Sequence, residues 1–398
     1  MSGRTASQRS FRWMLVYQVT QRTPLFWPYM FHFTTAVRGL PASDFGLLKS
    51  IYYFGVMAID VPFGVVADRV GRRVTLALGA LANALCCALY AFGRGFAVYA
   101  LAELCAACGT ALQSGADSAL VYDSFAADGR AHEFTRARGA MESVGLAGAA
   151  LALPLSGLLV TADGDPSATY AVTGLINLGG VAAALALREA PVRSRRQLRA
   201  HVSDTLRDVA RTPGIAAVLA FSALVFLGLR AANALVWNPV LEAAGLPLRS
   251  FGALTAVTGV LAALSAWRAH AWRERIGERS LLLVCSGSVT AMYLLLPLAH
   301  GVPAALLLMT HGFALGLAPV LLVELLNRRI ASSERRATLL SFESLVQRGT
   351  YGVVVYFASA ALGRGPLSSV LLGFAATSAA ALALAPWLAR APGRDRAA

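Results

Sequence analysis

Seven ionisable residues stand inside stretches of this chain that are otherwise almost free of charge: Arg22, Asp60, Asp117, Glu142, Arg230, Glu343 and Arg348. A desolvated carboxylate drifts toward its neutral form and a nearby guanidinium draws it back, so such a pair can take up and release a proton. A guanidinium held apart from carboxylates binds an anion instead. The residues therefore offer two chemistries. One is proton coupling through Asp117 and Glu142, with Arg22 as their counter-charge or as a permanent packing partner. The other is contact with an anionic substrate through Arg22, Arg230 and Arg348. Glu343 and Arg348 are out of register for an intrahelical pair, so each is predicted to seek a partner on another helix.

Other chemistries have little to run on. There is no Ser/His/Asp ordering, no cluster of metal ligands and no Gly-rich phosphate loop followed by Lys and Ser or Thr. The cysteines Cys86, Cys87, Cys105, Cys108 and Cys285 lie in apolar runs, and the Cys105/Cys108 spacing has no second pair beside it, which reads as helix packing. His32 and His311 titrate near neutrality in water, yet each stands alone and reads as structural. No enzyme, metal or cofactor is predicted.

The elements that position these groups follow from composition. Of 398 residues, 57% are hydrophobic and 14% charged, against about 25% charged in soluble domains. A helix crosses a bilayer with about 20 mostly apolar residues. Twelve such segments occur, at 13–36, 46–66, 74–94, 97–123, 136–162, 168–187, 215–238, 250–271, 280–299, 303–327, 337–362 and 367–389. Arg22 falls within the first, roughly 14 Å deep at about 1.5 Å per residue. With both termini on one side, 27 of the 35 basic residues fall in loops of that side, and Arg38, Lys49, Arg94, Arg249 and Arg364 on the other. Cytoplasmic loops carry the arginine and lysine excess of membrane proteins, so the net charge of +14 needs no nucleic acid. The expectation is an all-α, multi-pass protein of the cytoplasmic membrane, monomeric and surrounded by lipid, with cytoplasmic termini.

The chain also repeats itself. Gly39-Leu40-Pro41 with Phe45-Gly46 recurs as Gly245-Leu246-Pro247 with Phe251-Gly252. At the same offset Asp68-Arg69-Val70-Gly71 meets Glu274-Arg275-Ile276-Gly277, and further on Asp123 meets Glu324 and Glu142-Ser143 meets Glu343-Ser344. Two pseudo-symmetric six-helix bundles are predicted, 1–187 and 215–398, joined by a basic cytoplasmic linker at 188–214. Parallel six-helix repeats are an architecture of secondary transporters, with a midplane site at the repeat interface.

Between the second and third segments the chain reads Gly64-Val65-Val66-Ala67-Asp68-Arg69-Val70-Gly71-Arg72-Arg73. This resembles the loop motif of the major facilitator superfamily, G-x-x-x-D-[RK]-x-G-R-[RK], at every defined position. The resemblance implies twelve transmembrane helices and a conformational latch made by Gly64, Asp68, Arg69, Gly71, Arg72 and Arg73, with Asp123 as the acid at the inner end of the fourth helix. Two departures stand out. The Arg that many drug–proton antiporters carry in the fourth helix, three residues before a Gln, is Thr110 here, before Gln113. Of their glycine- and proline-rich fifth helix only Gly145, Gly148, Pro154 and Gly157 are found, with Glu142 at its entrance. The expected activity is proton-driven efflux of a small amphiphilic molecule, a drug or secondary metabolite, powered by the proton gradient without a cofactor. The aromatic and polar first segment, with Tyr17, Gln18, Gln21 and Trp27, suits such a molecule. Alternatives are an organic-anion transporter built on the intramembrane arginines, or a sensor or enzyme on the same scaffold. A phosphatase fused after residue 200 should be inactive in cells and one fused after residue 164 active; the reverse pattern would overturn the topology.

Overall fold

The computed structural model describes residues 6–189, 214–329 and 333–388, with only the backbone at 6–9, 61, 64–69, 327–329 and 333–338. Every regular element among the described residues is helical. Lipid offers no partner to a free N–H or C=O, so a crossing segment must satisfy its backbone within itself. In order, the main helices are α1 (Ala6–Gln21), α2 (Ala42–Val70), α3 (Arg72–Phe92), α4 (Phe96–Gln113), α5 (Ala116–Ala127), α6 (Phe134–Leu155) and α7 (Ser167–Leu185). After the linker come α8 (Ile215–Ala231), α9 (Trp237–Ala243), α10 (Phe251–Leu295), α11 (Gly301–Met309), α12 (His311–Arg329), α13 (Ser333–Leu362) and α14 (Leu367–Leu388). Eight helical stretches among the described residues are long and apolar enough to cross a membrane. Each of the twelve predicted intervals falls on helix. Large apolar side chains such as Phe92 (80% exposed) and Leu158 (81%) point outward, as expected where the solvent is hydrocarbon rather than water.

The predicted continuity fails in three places. The first segment is not one helix: α1 begins seven residues earlier than predicted and ends at Gln21, because Pro24 disfavours helical backbone at Thr23. The chain resumes as a 3-10 turn at Trp27–Tyr29, a short helix and a π turn at Phe33–Val37. The freed amide of Leu25 is caught by the Thr173 hydroxyl at 3.1 Å. The fourth segment breaks at Ser114–Gly115, and the tenth at Thr310. Conversely, α10 runs through the predicted eighth and ninth segments, divided at Gly277 with φ +78°. Its repeat mate Gly71 has φ +98°. Both occupy backbone space that glycine enters readily.

The chain divides into two compact units, Met1–Arg195 with Leu248–Ala256, and Arg196–Pro247 with Val257–Ala398. Among the described residues the first has two apolar centres. One gathers Met14, Tyr17, Leu76, Leu120, Val121 and Met141, with the Tyr17 hydroxyl donating to the Leu76 carbonyl at 3.1 Å. The other is aromatic: Tyr90 stacks on Tyr99 at 4.9 Å and on Tyr170 at 5.1 Å, and Phe26 on Tyr170 at 4.6 Å. Helices α3 and α4 approach through Gly79 and Gly109, where a Cβ on either would press on the other's carbonyl, the close packing small residues allow in membranes. In the second unit the Tyr293 hydroxyl donates to the Gly228 carbonyl at 2.6 Å, tying α10 to α8.

Beside the aromatic stack lies a charge pair that the loop assignment of Lys49 did not anticipate. Lys49 is buried in α2, its Nζ 2.6 Å from the Glu103 carboxylate of α4 and 3.0 Å from the Met30 sulfur. The Tyr90 hydroxyl donates to the same carboxylate oxygen. Removing one partner of a buried pair leaves an uncompensated charge and costs about 3–5 kcal/mol, whereas apolar replacement of both is often neutral. Glu103→Gln should therefore lower the thermal unfolding midpoint in detergent more than the double variant Lys49→Met/Glu103→Leu. Equal losses would show that the ion pair is not what stabilises this region.

Candidate functional site

The broken ends of α1 and of the α4–α5 pair face α6, and their polar side chains meet there. Arg22 stands one residue past the end of α1, and its guanidinium makes a two-pronged contact with Glu142 of α6, one arm at 2.9 Å. Its Nε donates to the Gln18 Oε1 at 2.9 Å, and the Gln18 amide donates to Asp117 at 2.7 Å. Asp117 lies in the first turn of α5, where its Oδ1 accepts from the Ser118 amide at 2.6 Å. Arg138 closes the ring: it reaches Glu142 at 2.7 Å and Asp117 at 3.2 Å. Two carboxylates are thus held by two guanidiniums. The side chains of Arg22, Arg138 and Glu142 are 33–38% exposed, so water reaches them.

Arg138 is one of the 27 basic residues counted with the loops of the arginine-rich side, where it would only set topology. It is instead in the first turns of α6, four residues before Glu142 on the same face. That spacing, inside the segment predicted over 136–162, was the available signal. Gly145 makes the arrangement sterically possible, since a Cβ there would collide with Cδ of Arg22. A second polar cluster sits nearby: the Gln21 side-chain Oε1 accepts from the Asn83 amide at 3.1 Å and the Gln113 amide at 3.0 Å. Thr110, where many antiporters have Arg, pairs with the Tyr52 hydroxyl at 3.0 Å. Asp60 is half-buried and outside both clusters.

The second unit treats its carboxylate differently. Glu343 of α13 is buried, and accepts from the Ser222 hydroxyl of α8 and from Gln347 at 3.0 Å. Its partner on another helix is therefore a hydroxyl rather than a cation. Arg230 lies over the Phe226 ring at 5.2 Å, and the Tyr351 hydroxyl donates to its carbonyl at 3.4 Å. Arg348, also predicted to find a partner on another helix, makes no ion pair among the described residues. His32 meets the Gly164 carbonyl at 3.2 Å, and His311 is buried against the Leu308 carbonyl at 2.5 Å.

At the loop motif, Arg72 pairs with Asp123 across α3 and α5. Gly64, Asp68 and Arg69 are in α2, outside the described side chains. The sequence reading missed Glu189, at the start of the linker. Its carboxylate accepts from the Arg72 amide at 2.7 Å and the Arg73 amide at 3.3 Å, placing an anion at the positive end of α3. The second unit holds a counterpart: Arg273 of α10 pairs with Glu324 of α12. The acid occupies the repeat position of Asp123, but its cation precedes the Gly277 kink, whereas Arg72 follows Gly71.

Helices broken where polar side chains gather are a recurrent feature of membrane transporters. The family model for the Major Facilitator Superfamily matches residues 21–348, and the chain belongs to that superfamily of secondary transporters. Among solved structures it is similar to the nucleoside transporter NupG, at 12% identity and TM-score 0.80 over 97% of this chain and 99% of that one. A D-xylose–proton symporter matches at 13% identity and TM-score 0.68, covering 95% and 96% of the two chains. A bacterial homologue of the lysosomal transporter Spinster matches at 14% and 0.73, covering 98% and 100%. No curated protein sequence matches.

The ring makes a sign prediction. Gly145→Ala should lower the unfolding midpoint in the otherwise unchanged protein, because the methyl displaces Arg22 from Glu142. In an Arg22→Ala background the same change should be neutral or stabilising, since alanine favours helix by about 1 kcal/mol over glycine. A loss in both backgrounds would deny the contact.

Proposed function

We propose that the protein exports a small amphiphilic molecule, a drug or secondary metabolite, across the cytoplasmic membrane by proton-coupled alternating access. In this reading it works as a monomer with cytoplasmic termini, its halves at 1–187 and 215–398 joined by the linker. The observation that carries the proposal is the ring of Arg22, Glu142, Arg138 and Asp117. With two carboxylates against two guanidiniums its formal charge is zero. One added proton leaves it at +1, which repels a cationic substrate from the same site.

Protonation of Asp117 or Glu142 weakens the hold on Arg22 and Arg138 and frees the broken end of α1 to move. The Arg72–Asp123 pair, with Asp68 and Arg69 as the rest of the latch, biases which state is occupied. Glu343 is a second protonation candidate, because its hydrogen bonds come from the neutral donors Ser222 and Gln347. The similarity to a proton symporter supports the coupling ion. The solved neighbours move unlike cargoes on one fold, so the cargo is set by site side chains rather than by the fold.

One observation favours a second reading, transport of an organic anion: Arg348 has no carboxylate partner among the described residues. Counterflow in liposomes with cationic and anionic substrates separates the two. For the principal reading, Asp117→Asn should abolish flux driven by a pH gradient while leaving the unfolding midpoint near that of the parent. Glu343→Gln, which mimics the protonated state, should retain exchange but lose its pH dependence. Undiminished gradient-driven flux in both variants would remove proton coupling from these residues.

A further inference from the structure

At the arginine-rich end of the first unit, away from the ring, α1, α5 and α6 line an open cavity of about 470 Å³. Its polar rim is Arg12 of α1, Arg130 and Glu133 of the turn between α5 and α6, and Arg136 of α6. Its walls are apolar: Phe11 and Phe125 meet edge to face at 5.7 Å, with Leu15 and Ala140 beside them. The four charged groups are not equivalent. Arg130 is spent on Glu133, which it grips with two hydrogen bonds of 2.7 Å, and it lies 5.3 Å over the Phe125 ring. Arg12 and Arg136 are exposed and form no ion pair among the described residues. The cavity therefore offers two guanidiniums outside any ion pair among the described residues, above an aromatic floor, with a net charge of +2.

Arginine forks match the oxygens of a phosphate, and an apolar wall beneath them asks for a ligand with an uncharged body. The location narrows the source. Arg12 immediately precedes the first apolar segment, at the level of the bilayer surface. One turn along the same helix face, Val16 is 46% exposed, and Trp13 is 41% exposed beside it. An acyl chain leaving the cavity would thus find an apolar track along α1. Basic pockets between transmembrane helices at the cytoplasmic surface recognise anionic headgroups, and a few hundred cubic ångströms suits a ligand of that size.

We infer that this cavity binds the phosphate of an anionic phospholipid from the leaflet at the arginine-rich face, with Arg12 and Arg136 as its ligands. The site is distinct from the proposed coupling ring and does not depend on the direction or cargo of transport. The full-length protein, stripped of lipid in detergent, would be offered phosphatidylglycerol or phosphatidylcholine and examined by native mass spectrometry. Phosphatidylglycerol should be retained at least tenfold more than phosphatidylcholine. Arg12→Gln/Arg136→Gln should lose that preference, whereas Arg94→Gln, at the other end of the first unit, should keep it. Ala140→Phe, which fills the cavity and leaves every arginine in place, should also lose it, so the inference remains testable if the arginine variant fails to fold. Equal retention of the two lipids by the parent protein, or undiminished preference in the arginine or cavity-filling variant, would overturn the site. Glycerol 3-phosphate supplies the remaining arm. If it displaces phosphatidylglycerol at equal concentration, the phosphate chemistry stands but the lipid source is overturned in favour of a soluble anion.

Discussion

A charge at bilayer depth must be compensated by the protein, because lipid does not solvate it. That requirement organises this molecule. In the first unit compensation is ionic: Lys49 with Glu103, and Arg22 and Arg138 with Glu142 and Asp117. In the second unit the carboxylate of Glu343 is compensated by neutral donors, Ser222 and Gln347. Glu142 and Glu343 occupy corresponding positions of the repeat, so duplication preserved the acid while the two surroundings diverged. One copy is held by ion pairs, and the other by neutral donors.

The same requirement shapes the backbone. A crossing helix is interrupted only where its freed groups find partners inside the protein, as the Leu25 amide does at Thr173. The interruptions at 22–26 and 114–115 bring Arg22 and Asp117 to helix ends, where Gln18, Arg138 and Glu142 are within reach. A continuous first helix would have carried Arg22 along a regular spiral. Pro24 is therefore as much a part of the site as the charged residues it positions.

At the arginine-rich end, paired glycines with positive φ mark the turns of both repeats, Gly71 and Gly277. Each turn lies near an Arg–acid pair between neighbouring helices, but the arginine comes from opposite sides of the turn. The pairing was retained while its sequence position was not, which explains why the second copy of the motif looks degenerate. Glu189 adds a tie from the start of the linker to the first of these turns.

Much of this was legible in the residues. Twelve apolar segments, the one-sided arginines and the internal repeat define a duplicated helical membrane protein, because hydrophobic length and charge placement act locally along the chain. The loop motif identified the superfamily, and Arg22, Asp117 and Glu142 were recognisable as deep charges from their apolar surroundings alone. What only the tertiary structure decided was which charges meet. Arg138 and Lys49 read as loop residues because a helix boundary is blurred by a turn where basic side chains begin, and Glu103 drew no notice without its partner. Ion pairs such as Lys49–Glu103 join residues far apart in the chain, and Coulomb attraction depends on distance in space. That distance is set by where proline and glycine break the helices and by how closely small residues let them pack.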